Sequence, residues 1–207
     1  MTNFDERAKD WDSDPKKVNR AFEVADAIRK AVPLTHQMHA FEYGCGTGLL
    51  SFALKDEFEH ITLADTSQGM LDVLKEKIAA SGVTNMQPLH LDLTTEPAPA
   101  EKFHITYSLL TLHHIQNTED ILKKFHELLM PNGFLIIADL DKEDGSFHTD
   151  GTVDVHKGFA HTKLQEQVEK AGFEDVRFSI AHIIKKEIDG KKKEFPVFLM
   201  AAKKKAG

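Results

Sequence analysis

The sequence predicts one α/β domain with a mostly parallel, seven-stranded sheet that ends in an antiparallel hairpin. Its 207 residues suffice for one such domain and are too few for two comfortable ones. From about residue 39 onward, short β-type runs alternate with segments of helical periodicity, which is typical of a parallel sheet covered by helices. Near the end, two extended runs flank Asp189-Gly190, a dipeptide suited to a tight hairpin turn.

The first predicted element is a helix near the start of the chain. Asp14 can cap it, Pro15 suits the first helical position, and Pro33 ends it. Its expected apolar face follows helical spacing and consists of Val18, Phe22, Ala25 and Val32. We expect residues 1–35 to form a helical lid over the remainder of the domain.

Five strands are predicted for the parallel part of the sheet. They are His39–Tyr43, Ile61–Ala64, Met86–Leu91, Phe103–Ser108 and Phe134–Asp139. The helix after the second strand has Ser67 as its cap and Gly82 just past its end, and the helix after the fourth strand stops at Pro131. A later helix is expected to begin with a capping box made by Thr162 and Gln165.

The whole chain, residues 1–207, is therefore interpreted as one domain with four parts. After the lid, residues 36–139 form a ligand-binding core and residues 140–160 a covering loop, and residues 161–207 supply a helix and the terminal hairpin. Within that hairpin, Pro196 prevents full pairing at the start of the last strand.

Composition excludes several classes of function. A formal net charge of −7 argues against a surface built to neutralise phosphates, so no nucleic-acid partner is expected. The start of the chain is polar, and no stretch approaches the roughly 18 apolar residues of a membrane span, which predicts a cytoplasmic protein. The single cysteine, Cys45, cannot form an internal disulfide. The oligomeric state stays open.

The first chemical signal is a glycine-rich turn, EYGCGTG, at residues 42–48. It ends the first strand and opens a helix, so its backbone can turn tightly beneath a ligand. Dinucleotide-binding folds usually have G-x-G-x-x-G, and here Leu49 occupies the position of the third glycine. A ligand without a pyrophosphate fits this spacing better, although such a turn can also be purely structural.

Two carboxylates follow the next two strands. Asp65 lies 17 positions beyond Gly48, where it can accept hydrogen bonds from both hydroxyls of a ribose. Asp92 is placed to accept one from an adenine amino group. Either residue alone could be a helix-capping or turn aspartate. The ends of consecutive parallel strands share one crevice, however, so three such signals in succession favour a single binding site.

These motifs resemble those of class I S-adenosylmethionine-dependent methyltransferases, which have a Rossmann-like, doubly wound fold. The resemblance is carried by EYGCGTG, LADTSQGML, LDL and LMPNGFLII, and it is strongest for the branch with small-molecule and quinone-biosynthesis enzymes. Asn132 departs from that branch, which commonly has glycine there. The resemblance implies S-adenosylmethionine as cofactor, S-adenosylhomocysteine as product, and cofactor contacts from Glu42, Gly44, Cys45, Gly46, Gly48, Asp65, Thr66, Met70, Asp92, Leu93 and Ser108.

Two adjacent histidines, His113 and His114, follow the fourth strand and also occur in the branch that the chain resembles. They are expected to border the methionine moiety or the acceptor, and they are the candidate catalytic residues. Histidine can serve as a base near neutrality because its unperturbed pKa is about 6.5. The alternative is that one of them only buttresses the following loop.

Residues 140–160 show no clear periodicity, and loops of that length in compact domains are usually functional or disordered. We expect this loop and the N-terminal lid to enclose the acceptor. The predicted acceptor contacts are Trp11, Phe147, His148, His156 and Phe159. Trp11 could equally pack in the core. Histidines and carboxylates of the loop match no metal motif in their spacing, so no metal is predicted.

The predicted function is methyl transfer from S-adenosylmethionine to a small molecule by in-line displacement. Base-modifying nucleic-acid enzymes of this fold often carry Asn/Asp-Pro-Pro-aromatic after the fourth strand, where this chain has Ser108-Leu109-Leu110-Thr111. Two alternatives stay open. One is a non-catalytic, cofactor-binding module for regulation or assembly, and the other is a nucleotide-dependent oxidoreductase.

Overall fold

The computed structural model describes residues 3–148 and 155–206. Its strands are β1 (His39–Tyr43), β2 (His60–Asp65), β3 (Met86–His90), β4 (Phe103–Leu109), β5 (Leu129–Leu140), β6 (Phe173–Ile188) and β7 (Lys191–Lys204). Its α-helices are α1 (Asn3–Arg7), α2 (Pro15–Ala31), α3 (Leu49–Leu54), α4 (Gln68–Ser81), α5 (Thr118–Leu128) and α6 (His161–Lys170). None of the described helices is long and apolar enough to cross a membrane.

All of these strands join one sheet in the order β3-β2-β1-β4-β5-β7-β6. The first five are parallel, whereas β7 is antiparallel to both of its neighbours. The chain reverses direction across the sheet between β1 and β4, and ligands of open α/β sheets bind at such a reversal. Asp189 and Gly190 adopt φ of 50° and 72° at the hairpin turn. The predicted doubly wound sheet with its terminal hairpin is confirmed.

Two apolar clusters cover the two faces of the sheet. On one face, Leu54 of α3 belongs to a cluster with Phe58 and Tyr107, to which α2 and α4 also contribute apolar side chains. On the other face, Phe41 and Phe125 belong to the cluster beneath α5 and α6. A sheet covered on both sides needs strands with nearly continuous apolar runs, as in the ITLA run of β2. The core thus fixes the strand ends that form the site.

Local signals set most of the helix boundaries. The Asp14 side chain caps α2 by accepting a hydrogen bond from the backbone N–H of Lys16 at 2.9 Å. Ser67 caps α4 by accepting one from Met70 N–H at 3.2 Å. Gly82 ends α4 in the left-handed conformation, with φ of 69°. These three predictions are confirmed.

The predicted apolar face of α2 is wrong in part. Phe22 is 56 % exposed, and the buried side of the helix consists of Ala21, Val24, Ala25 and Ile28. Small alanine side chains let α2 pack closely on its neighbours, whereas the bulk of Phe22 lies on the outer surface. Periodicity thus predicted the helix and the burial of Ala25 and Val32 correctly, and it was wrong for Phe22.

The start of α6 also differs from the expectation. The helix begins at His161, and Ala160 precedes it without a side-chain cap, so Thr162 and Gln165 do not form the capping box. The His161 ring lies 2.5 Å from Asp141, which ties the start of the helix to the end of β5. Likewise, α5 ends at Leu128, and β5 begins at Leu129 before the predicted Pro131 boundary.

Candidate active site

The glycine turn after β1 forms one wall of the crevice. Gly44, Gly46 and Gly48 have φ of 70°, 53° and 76°, a left-handed region that favours glycine. A Cβ on Gly44 would lie 2.3 Å from side-chain atoms of Thr111. Among the described residues, a Cβ on Gly46 would find only the Met70 sulfur within 4 Å, at 3.9 Å. Gly46 is therefore the glycine whose open side a ligand can approach.

Asp65 ends β2 and holds that turn in place. Its Oδ2 accepts a hydrogen bond from Gly46 N–H at 2.7 Å, and its Oδ1 accepts one from Ser67 N–H at 2.8 Å. Burial raises the pKa of the Asp65 carboxyl, and the hydrogen bonds from these backbone N–H groups offset part of that rise in pKa. Asp65 thus acts as a turn and capping aspartate in the structure, and its contact with a ribose stays a prediction.

Glu42 lies beneath the turn and is almost fully buried, with 2 % exposure. Its carboxyl accepts a hydrogen bond from the Ser51 hydroxyl, and that hydroxyl oxygen lies 2.7 Å from the phenolic oxygen of Tyr107. Burial raises the pKa of Glu42 to about 8. The neighbouring Cys45 thiol is also buried, which raises its pKa well above the usual value, as expected for an inert side chain in the turn.

The predicted adenine contacts after β3 already have partners within the chain. Asp92 Oδ1 accepts from the backbone N–H of Thr94 at 2.8 Å and from its hydroxyl at 2.6 Å, as in an ordinary turn. Leu93 is buried, and its N–H donates to the Tyr43 hydroxyl at 3.1 Å. Contacts of both residues with a cofactor therefore stay predictions.

The remaining predicted cofactor residues differ in exposure. Thr66 is exposed and Met70 is buried. Ser108 is buried at 2 % exposure near the end of β4, and its hydroxyl oxygen has no hydrogen-bond partner among the described residues. A buried hydroxyl without a partner is unusual in a folded protein and suits a position where a ligand supplies that partner.

Residues 3–13, which we call the N-terminal strap, lie across the crevice. Asp5 accepts a hydrogen bond from the Ser67 hydroxyl at 2.6 Å, at the start of α4. Asp12 accepts one from the hydroxyl of Thr47, within the glycine turn. Neither aspartate was predicted as a site residue, because the partners of both lie far away along the chain.

Trp11 packs within the strap. Its ring lies 6.0 Å from that of Phe4 and is covered by the Lys17 ammonium at 3.6 Å. Phe4 in turn packs edge-on against His114, with 5.5 Å between ring centres. The predicted acceptor residue Trp11 is thus linked to the predicted catalytic histidine through Phe4.

His113 is held by a buried carboxylate that the sequence analysis did not assign to the site. Its Nδ1 lies 2.7 Å from Asp139 Oδ1, and its backbone N–H donates to Asp139 Oδ2 at 3.1 Å. The two side chains are 2 % and 0 % exposed. The run FLIIAD could have indicated this pairing, because an aspartate at the end of a buried apolar strand needs a partner for its charge.

The predicted acceptor residues separate into two groups. Phe147 and His148 pack against His113, with ring-centre distances of 6.3 Å and 5.2 Å. Phe159 belongs to the core cluster on the other face, and the His156 ring nitrogen lies 2.9 Å from a backbone carbonyl oxygen. His156 is also tied to this turn, because its backbone N–H donates to the carbonyl oxygen of His113 at 2.8 Å. The structure therefore brings Phe147, His148 and His156 to the histidines and leaves Phe159 in the core on the other face. Residues 149–154 of the predicted covering loop lie outside the described residues.

Comparison with known proteins identifies the domain. Residues 40–133 match the family model described as methyltransferase domain. An uncharacterized methyltransferase from Schizosaccharomyces pombe is 30 % identical over 118 residues, which cover 54 % of this chain and 42 % of that protein. The ubiquinone biosynthesis O-methyltransferase of Coxiella burnetii is 24 % identical over 147 residues, covering 69 % of this chain and 62 % of that enzyme. The chain thus spans less than two thirds of either relative.

A solved structure agrees with this assignment at the level of the fold. An S-adenosylmethionine-dependent methyltransferase from Mesorhizobium loti superimposes with a TM-score of 0.63 at 18 % identity, covering 86 % of this chain and 96 % of that one. The narrower quinone-biosynthesis branch stays a prediction. Residues 40–133 thus match the methyltransferase domain family, and the sheet order and glycine turn agree with the class I S-adenosylmethionine-dependent methyltransferase fold that the sequence motifs resemble.

Proposed function

We propose that this chain transfers the methyl group of S-adenosylmethionine to a small-molecule acceptor. The open side of Gly46, at the crevice where β1 and β2 end, is the observation that carries the proposal. The name of the Coxiella burnetii relative supports a small acceptor, since that enzyme is an O-methyltransferase of ubiquinone biosynthesis. The net charge of −7 also favours a small molecule over a nucleic acid. The cytoplasmic location stays a prediction.

The residues present fit the proposed cofactor. Gly46 offers space without a Cβ, and the buried Ser108 hydroxyl offers an unused hydrogen-bonding group. We assign the ribose to Asp65, the adenine to Asp92 and the methionine end to the neighbourhood of Glu42. The bound cofactor supplies an electrophilic methyl group on its sulfonium sulfur.

The chain contributes mainly position and exclusion of water. Methyl transfer needs an acceptor lone pair in line with the departing sulfur, and effective molarities of about 10⁵ to 10⁸ M are available from orientation alone. We assign the outer wall of the acceptor cavity to the N-terminal strap and to Phe147 and His148. Closing such a wall over the reactants removes water that would weaken the electrostatic interactions inside.

Substitution of Gly46 by alanine tests the cofactor placement. The added methyl group has room in the folded chain, so it should enter the space of the cofactor and weaken S-adenosylhomocysteine binding by about 1–3 kcal/mol. Gly82→Ala is the matched control, because its φ of 69° carries the same backbone strain and no atom of residues 3–148 or 155–206 lies within 4 Å of the added carbon. Thermal melts should show a similar fall in melting temperature for both variants. Isothermal titration calorimetry measures the affinity of each variant for S-adenosylhomocysteine. If Gly46→Ala bound it as tightly as the parent, this placement of the cofactor would be excluded.

A methyl-transfer screen tests the reaction itself. Purified protein is incubated with S-adenosylmethionine labelled in the methyl group and with fractions of a metabolite extract, and label is followed into the acceptor. Transfer to a small-molecule fraction is the expected result. Tight S-adenosylhomocysteine binding without transfer to any fraction would favour the non-catalytic module, and NADH binding in its place would favour the oxidoreductase.

A further inference from the structure

Three imidazoles meet beside the acceptor side of the crevice. His113 and His114 lie on the turn after β4, and His148 comes from the loop after β5. One ring nitrogen from each histidine can be chosen so that all three lie within 4.8 Å of one another. The ring centre of His113 lies 4.1 Å from that of His114 and 5.2 Å from that of His148.

The buried carboxylate of Asp139 fixes the direction of one of these rings. Because it binds Nδ1 of His113, the nitrogen left for any further bond is Nε2. That Nε2 is buried and has no hydrogen-bond partner among the described residues. Histidines that bind metals commonly hydrogen-bond through their other ring nitrogen to a carboxylate, which sets the tautomer and the orientation of the ring. A partner for Nε2 would also remove the cost of a buried, unpaired nitrogen.

We propose that His113, His114 and His148 bind a divalent transition-metal ion of the zinc type, oriented by Asp139. Imidazole nitrogens suit such ions, whereas magnesium and calcium prefer oxygen ligands. Three protein ligands leave a fourth tetrahedral position open. No metal was predicted from the spacing of histidines and carboxylates within residues 140–160, and the three proposed ligands stand 1 and 34 residues apart along the chain. The strand order, which places β4 beside β5, brings them together.

Metal binding requires a small contraction of the cluster. Zinc–nitrogen bonds of about 2.0–2.1 Å in a tetrahedron place the ligand nitrogens about 3.3 Å apart. His113 is fixed by two contacts to Asp139, so the movement falls on the other two histidines. Both are only partly buried, and His148 lies on a loop, which leaves them room to turn.

A metal ion bound by these three histidines could activate the methyl acceptor, a role that rests on the proposed function. Thr111 precedes the turn and lies against Gly44, so the cluster adjoins the glycine turn. An acceptor with an O–H or S–H group would bind in the open position as its anion and release its proton to solvent. The anion lone pair then forms the new bond to the methyl carbon as the carbon–sulfur bond breaks, giving S-adenosylhomocysteine. A bound metal favours the anion because it lowers the pKa of the group it coordinates.

Calorimetric titration of chelator-treated protein with Zn²⁺ tests the site, and Co²⁺ serves as a visible-absorption probe of tetrahedral coordination. One ion per chain is expected. His114→Ala and His148→Ala should each weaken binding by at least about 100-fold, and Asp139→Asn by about 10–100-fold. His60→Ala is the control, because His60 also neighbours another histidine ring, at 5.9 Å, but lies at the opposite end of the sheet. It should leave Zn²⁺ affinity unchanged.

Thermal melts keep the test independent of folding defects. Zn²⁺ should raise the melting temperature of the parent and of His60→Ala, and should not raise that of His114→Ala or His148→Ala. Binding that survives both substitutions, or an Mg²⁺ affinity above that for Zn²⁺, would overturn the proposal. S-Adenosylhomocysteine titration of the metal-free protein separates the two proposals, since loss of the metal should leave that affinity intact.

Discussion

Substitution of Gly158 by alanine is expected to lower the free energy of unfolding by about 2–5 kcal/mol. Gly158 has φ of 63°, and a left-handed backbone costs an ordinary residue about 1–2 kcal/mol. The added Cβ would also lie 2.0 Å from the backbone oxygen of Asp141. A backbone atom cannot rotate away, so the end of β5 or the following loop must shift, which typically costs about 1–3 kcal/mol more.

Urea unfolding followed by circular dichroism measures this effect, with Gly190→Ala as the matched control. Gly190 has a similar φ of 72°, but no atom in the described part of the chain lies within 4 Å of its added carbon, so only the backbone strain of about 1–2 kcal/mol remains. Equal losses in the two variants would show that the close approach of Gly158 to Asp141 does not constrain the fold.

A second large effect is expected from Glu42→Gln and depends on pH. The pKa of Glu42 is about 8 in the folded protein, mainly because of burial, against an ordinary value of 4.5. Between these values the folded state keeps a proton that the unfolded state has lost. Stability of the parent therefore falls as the pH rises from about 4.5 to 8, by an amount on the order of 3–5 kcal/mol from this group.

Glutamine carries no charge at any pH in this range and keeps a carbonyl oxygen that can accept from Ser51. The free energy of unfolding of Glu42→Gln, minus that of the parent, should therefore increase from pH 5 to pH 8. Urea titrations at several pH values measure this difference, in which the other carboxyl groups largely cancel. A difference that stays constant across the range would mean that Glu42 is already ionised in the folded protein.

Local sequence signals predicted the parallel strands, the start of α2 and both ends of α4. The runs FLIIA and ITLA are short and almost entirely apolar, and both faces of the sheet are covered, so composition alone marks them as strands. The caps at Asp14 and Ser67 act within three residues of their own positions. The face of α2 was harder to predict, because burial of Phe22 depends on how closely its alanines approach other elements.

The site was predictable only where it depends on a local motif. The glycine turn and Asp65 follow consecutive strands of the same crevice, so their meeting follows from the parallel topology. The pairing of His113 with Asp139 joins positions 26 residues apart, and the ties of Asp5 and Asp12 to the crevice span still longer separations. Such contacts depend on strand register and loop course, which no short pattern encodes.

The N-terminal strap has a kinetic consequence for a cofactor that binds between the glycine turn and α4. Asp5 and Asp12 bond it to both walls, so it must be released before a ligand enters and again before the product leaves. The observed affinity is then the intrinsic affinity reduced by the fraction of molecules in the released state. If the hydrogen bonds of Asp5 and Asp12 re-form while the product is bound, the rate of strap release sets an upper limit on the turnover rate, whatever the rate of the chemical step.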